Sequence, residues 1–238
     1  MSRRTDPAGR AEPSAGAGPG GPVPVTPERL PAYLAGLLSE ATALVGLPRH
    51  PLRVLIDGAP AAGAATLADE LVAPLRLAGL PALRVSAEWF LRPASVRLEP
   101  GRTDPDAYYS LWLDAAALRR EVLVPLGPGG SGEYLPTLRD PNTDRATRAG
   151  YVPAPPSSVL LLDGTLLLGQ GLDADFTVHL HLSPAALARR TPDADRWTLP
   201  AYRRYDAEVS PTTRADVTVH LNDPRHPAIA PAPAPARR

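Results

Sequence analysis

The sequence predicts an α/β protein of three layers, with helices on both faces of a doubly wound central parallel sheet. Short runs rich in leucine and valine recur along the chain, and segments with helical apolar spacing lie between them; that alternation is the pattern of βαβ units. Size agrees, since 238 residues with 44% hydrophobic content can supply the core of one such domain.

In order, residues 1–25 are rich in Gly, Pro, Ala and Ser, with almost no bulky apolar residue before Val23. They are expected to be disordered, because they bury too little surface to offset their ordering entropy. The domain is expected over 26–223, opening with a leading helix in 26–50. Thr26 is placed to cap it, Pro27 to start it, and Leu30, Tyr33, Leu34, Leu37, Leu38 and Val45 form its apolar stripe. LRVLID from Leu52 to Asp57 reads as a buried strand, followed by a helix from Thr66 to about Leu80 with Gly79 as its stop. Ala82–Ser86 reads as a second strand and Asp114 to about Val124 as a helix. Val159–Leu162, Phe176–Leu182 and Val217–Leu221 read as further strands. Residues 224–238, ending PAPAPARR, are expected to be a disordered tail.

Composition removes several function classes. Lys+Arg 25 balances Asp+Glu 25, whereas nucleic-acid binders are usually basic, so no nucleic-acid partner is expected. Cysteine is absent, which excludes disulfides, zinc–thiolate sites and a cysteine nucleophile. No apolar run approaches a membrane span, and the arginines at the amino terminus are not followed by an apolar signal core; a cytoplasmic protein without a membrane partner is expected. The chain has no lysine, all 25 Lys+Arg residues being arginine, so lysine chemistry, including lysine-assisted phosphate binding, is excluded. His179 and His181 alternate on one strand without a recognisable third metal ligand.

The turn after the first buried strand is Gly58-Ala59-Pro60-Ala61-Ala62-Gly63-Ala64-Ala65-Thr66. Its glycines have the spacing of a phosphate-binding GxxxxGK[ST] loop, in the strand–turn–helix context that the motif requires. Backbone N–H groups and a helix N-terminus can cradle an anion there. Ala64 stands at the lysine position, however, and Ala65 at that of the metal-binding hydroxyl. A tight βα turn that needs glycine accounts for the pattern as well.

Other segments resemble the uridine kinase-like P-loop kinases, in particular a diverged bacterial branch of nucleoside kinases. The strand and loop RVLIDGAPAAGAATLADEL is similar to that branch's first βα unit, with GK[ST]T replaced by GAAT. VSAEWFLRP resembles its strand followed by Asp-x-Phe-x-Arg-Pro, with Glu88 at the Asp position. GRTDPDAYY, PLGPGG with the following Tyr134, VLLLDG, and RADVTV with NDP follow in the same order, so the resemblance spans about Leu52 to Pro224. It implies a P-loop NTPase fold, ATP and magnesium as cofactors, and a nucleoside such as uridine or cytidine, or a similar small hydroxyl compound, as acceptor. It further implies Glu88 as the base and Asp163 as the acid that orients magnesium through water. Arg189 or Arg190, in a shortened lid over 186–208 that also holds Arg196, Tyr202, Arg203, Arg204, Tyr205 and Glu208, would stabilise charge. Phe90, Arg92, Tyr108, Tyr134 and Arg139 would lie at the acceptor.

Local readings compete with these. Glu88 could be a solvated strand end, Asp163 and Asp57 turn residues, Tyr108, Tyr109 and Trp112 core aromatics, Gly127–Gly130 a flexible turn, and the lid arginines a solvated helix face. Two functions remain open, an active phosphotransferase and a catalytically silent relative that keeps a nucleotide or partner surface. The sequence leaves the oligomeric state unknown.

Overall fold

The computed structural model describes residues 21–44, 50–155 and 157–231. Its strands are β1 (Val23–Pro24), β2 (Leu52–Gly58), β3 (Ala82–Ser86), β4 (Glu133–Tyr134), β5 (Val152–Pro153), β6 (Val159–Gly164), β7 (Phe176–His181), β8 (Val217–His220) and β9 (Ala228–Pro231). The α-helices are α1 (Leu30–Leu44), α2 (Ala64–Leu77), α3 (Ala94–Arg97), α4 (Pro105–Ser110), α5 (Ala115–Leu118), α6 (Pro184–Arg190), α7 (Leu199–Val209) and α8 (Pro211–Arg214).

β2 is buried at all seven positions because it lies inside a sheet ordered β1-β9-β8-β7-β2-β6-β3. The pairs β3–β6, β6–β2, β2–β7 and β7–β8 are parallel, while β9 and β1 add an antiparallel edge. A parallel strand covered on both faces reads as a continuous apolar run, which is why these strands were visible in the sequence. Side chains of β2 and β6 alternate between two core layers. Val54, Ile56, Val159 and Leu161 pack with Leu34 and Leu38 of α1 and Leu67 and Leu71 of α2. Leu55, Leu160 and Leu162 pack on the other face with Phe90, Leu118, Leu123 and Tyr205.

The domain limits lie outside those expected. Val23 pairs with Ile229 and Pro24 with Ala228, so residues 23–25 and 228–231 join the fold rather than its disordered ends. β9 gains backbone hydrogen bonds along β8, and Ile229 contributes a buried side chain. Expected disorder at 1–20 and 232–238, and the end of the leading helix around Val45, fall outside the described residues. α1 begins at Leu30, after a turn in which the Arg29 and Leu30 N–H groups donate to the Thr26 carbonyl (3.0 Å each); Pro31 lacks the N–H that would carry a regular helix back through Pro27.

The helix expected from Asp114 to Val124 splits. Asp114 caps α5 by accepting from Ala117 N–H (2.9 Å), and residues 119–123 then widen into a π-helical turn. The Leu123 carbonyl in that turn accepts from Arg53 Nη1 (3.2 Å), and the same guanidinium forms a two-pronged pair with Asp175 at 2.8 and 3.0 Å. The Gly127–Gly130 turn is closely packed at its two ends. A Cβ at Gly130 would lie 2.2 Å from the Pro125 carbonyl oxygen, and one at Gly127 2.8 Å from Arg53 Nη1.

Candidate functional site

β2 ends at Gly58, where a Cβ would meet that of Leu180 at 2.9 Å. The chain then coils into a 3-10 turn, Pro60–Ala62, and reverses at Gly63, whose φ of 80° is the left-handed conformation that glycine tolerates. Gly63 starts α2 with no side-chain cap. Ala62 N–H donates to the Ala59 carbonyl and Gly63 N–H to that of Pro60 (2.8 and 3.1 Å), so these two amides are spent within the loop. The first-turn amides of Ala64, Ala65 and Thr66 precede the first intrahelical bond, from Leu67 N–H to the Gly63 carbonyl. They form the anion-attracting end of α2.

This turn is one wall of an open cleft of ≈ 1120 Å³ above the carboxyl ends of the parallel strands, where open α/β sheets place their ligands. Glu88 and Asp163 line the same cleft. Glu88 is exposed on the 3-10 turn Ala87–Phe90, directly after β3. Asp163 lies near the end of β6, opposite Ser86. Tyr108, Tyr109 and Trp112 supply an aromatic wall on and just beyond α4. Tyr108 meets Trp112 and Trp197 edge-on, at centroid distances of 5.0 and 5.5 Å, and its hydroxyl is 2.9 Å from that of Tyr202. Burial raises the Tyr108 pKa above the ordinary phenol value.

The fold is similar to that of solved kinases. The "Possible Uridine Kinase" of Bacillus stearothermophilus superposes with a TM-score of 0.60 at 21% identity, covering 77% of this chain and 96% of that one. A candidate fructose transport system kinase from Silicibacter superposes at 0.58 and 23% identity, with 74% and 94% covered. The chain has the P-loop kinase fold. No protein-family model matches the sequence, and neither does any curated protein.

Within this P-loop kinase fold, several residues implied by the resemblance lie away from the cleft. Phe90 is fully buried in the core, because the 3-10 turn rotates it inward while Glu88 faces out. Tyr134 is 6% exposed and packs in the same core from the small β4–β5 ladder. Arg139 is structural, donating to the Asp144 carbonyl (2.5 Å) in the loop whose carboxylate also holds Arg97 and the Ala94 N–H. Arg92 is outside the cleft lining; its backbone N–H donates to the Trp112 carbonyl. Arg189 and Arg190, in the last turn of α6, do not line the cleft either. Arg190 borders a groove on the outer side of the loop and donates to the Asn222 carbonyl (3.0 Å). The segment expected to form a lid packs against α4: Arg204 pairs with Asp106, Tyr109 donates to Glu208, and Tyr202 and Tyr205 are buried.

The residue that sequence reasoning missed is Arg84. From the middle of β3 its guanidinium reaches Asp163 Oδ1 (2.5 Å), Asp69 Oδ1 (2.8 Å) and the Ala65 carbonyl (3.3 Å). Ser86 Oγ donates to the other Asp163 oxygen (3.1 Å). Its one sequence signal is a charge alternating with Leu83 and Val85 in a short strand. The residues present do not fit a magnesium ion. Ala65 offers a methyl group at the hydroxyl position, and both Asp163 oxygens are engaged by Arg84 and Ser86.

Behind the loop lies a second polar group. Asp57 is fully buried, accepting from Leu167 N–H (2.9 Å) and Tyr205 hydroxyl (3.0 Å) and contacting His179 Nδ1 at 2.7 Å. It is therefore a network centre and not the turn residue its sequence position suggests. Burial, then the Asp57 charge, drives the Tyr205 pKa strongly upward.

His181 lies beside His179 and His220, at ring distances of 6.1 and 5.2 Å. Burial, then these two neighbours, lowers its pKa to about 4. The unfolded chain takes up this proton near the ordinary histidine value and the folded chain only near 4. Stability is therefore unaffected above about pH 6.5 and falls as the pH drops from there towards 4. His181→Gln is expected to flatten that part of a plot of urea midpoint against pH.

Proposed function

We propose that the protein is a P-loop kinase relative that binds a nucleoside, or a similar small hydroxylated compound, and has lost most or all metal-dependent phosphoryl transfer. The observation that carries this reading is one cleft combining an aromatic wall, an exposed carboxylate at Glu88, and a phosphate-type loop with methyl groups at positions 64 and 65. The aromatic rings suit a flat base and Glu88 suits a sugar hydroxyl. Besides the Thr66 hydroxyl, the loop offers polyphosphate backbone amides and the dipole of α2, each exposed dipole contact contributing ~0.3–1 kcal/mol. An active kinase is the alternative, favoured by Glu88 and Asp163 sharing the cleft; its implied cofactors, ATP and magnesium, would meet no ammonium in the loop and a hydroxyl only at Thr66, one position beyond the motif's. The reading carries a cytoplasmic setting and a small-molecule partner with it; among the described residues no helix is long and apolar enough to cross a membrane.

The test is calorimetry against a nucleoside panel without ATP, followed by a search for phosphorylated product with ATP and magnesium. Heat from at least one nucleoside, reduced by Tyr108→Ala or Glu88→Gln, with no product, is expected. Phosphorylated nucleoside accumulating over many turnovers would contradict the proposal, as would the absence of binding across the panel.

A further inference from the structure

We infer that Arg84 is an internal replacement for the divalent cation, a guanidinium that ties Asp163 to the first turn of α2 and makes the cleft metal-independent. The inference rests on the P-loop reading of the site and assigns a positioning role that the reading does not contain.

Strand register explains how Arg84 comes to stand there. Ser86 pairs with Asp163 and Arg84 with Leu161. Side chains alternate across a sheet, so Arg84, Ser86 and Asp163 face the same way, and the Arg84 contacts with Asp69 and Ala65 identify that side as the one covered by α2. The partners of the guanidinium are all oxygens: two carboxylates and a backbone carbonyl. Hard divalent cations select such a set, carboxylates and carbonyls together.

The partners differ in weight. Asp69 is 72% exposed, so its pairing with Arg84 contributes little. The Asp163 side chain is only 4% exposed, and a buried carboxylate needs a charge partner to offset its desolvation. Arg84 supplies that charge. A metal entering at Asp163 would have to displace the guanidinium and would then bring two positive charges close to it. Arg84 is also not a phosphate clamp of the usual kind, since these N–H groups are directed at protein oxygens. Loss of the ammonium at position 64, loss of the hydroxyl at 65 and this arginine form one consistent set. Arg84 supplies one positive charge beside Asp163 where a metal-loaded loop would hold a divalent ion.

A direct test titrates the full chain with Mn²⁺ alone and follows free Mn²⁺ by electron paramagnetic resonance. Wild type is expected to bind none at millimolar concentration, and its melting temperature should not move with Mg²⁺ or Mn²⁺. Arg84→Met should gain a site, on the order of tenfold or more tighter than the millimolar concentration at which wild type binds none, and the additional change Asp163→Asn should abolish it. Arg84→Lys should restore exclusion of the metal, which a merely structural arginine would not require. If Arg84→Met folds poorly, millimolar Mn²⁺ should rescue its thermal transition.

Metal binding by wild type that is lost in Asp163→Asn would overturn the inference. So would an Arg84→Met chain that neither binds nor is rescued by Mn²⁺. Nucleoside binding, measured in metal-free buffer, reports separately on the proposed function, so failure of one can be told from failure of the other.

Discussion

Asp57→Ala is expected to destabilise the fold by about 3–5 kcal/mol, the range for breaking a buried polar or ionic cluster. Asp57 is 0% exposed and sits where β2 runs into the loop. Its two oxygens satisfy the Leu167 backbone N–H and the Tyr205 hydroxyl and contact His179. Alanine would leave these groups without Asp57 in the interior, and each buried donor left unsatisfied costs about 1–3 kcal/mol. Asp57→Asn keeps one acceptor oxygen and should fall between alanine and wild type. Urea unfolding at pH 7, read by two independent probes, measures both. A loss below about 1 kcal/mol for alanine would mean that water replaces the carboxylate, contrary to the close packing described here.

The second large effect is expected from rebuilding the loop. Ala64→Lys with Ala65→Thr should raise ATP affinity on the order of tenfold or more, because a hydrogen bond to a charged group contributes about 1.5–3 kcal/mol. With Arg84 in place, the gain should show little dependence on magnesium, since Asp163 remains engaged by the guanidinium. Adding Arg84→Met should make binding magnesium-dependent. Turnover need not return: Glu88 is one methylene longer than the aspartate of the resembled family, and neither Arg189 nor Arg190 lines the cleft. Calorimetry of the two variants, with magnesium or with a chelator, separates the loop's contribution from that of the metal. Magnesium dependence already in the double variant would show that Arg84 does not guard Asp163.

The parts of the fold that were legible in the sequence are those built from local pattern. β2 and β6 are buried parallel strands whose apolar runs end at turns, β3 is a short half-buried edge strand, and α2 announces itself through Leu67, Leu71 and Leu75 followed by Gly79. The loop was legible because glycine spacing and strand–turn–helix order are local too. What could not be read depends on partners far away in the chain. Arg84 and Asp163 are 79 residues apart, and Asp57 meets its three partners across 110, 122 and 148 residues. Within a single short turn, Phe90 and Glu88 look equally available, and only the 3-10 rotation sends one to the core and the other to the cleft. The pairing of Val23–Pro24 with β9 was hidden for another reason: two residues carry no periodicity, and their partner lies in a segment whose composition suggests disorder.

The central claim is that this P-loop kinase fold has given up metal–polyphosphate chemistry while keeping the cleft. Isothermal calorimetry of the unmodified chain with ATP, run once with magnesium and once with a chelator, tests it most directly. The account predicts weak binding that is the same in both titrations. Tight binding that appears only with magnesium would contradict it.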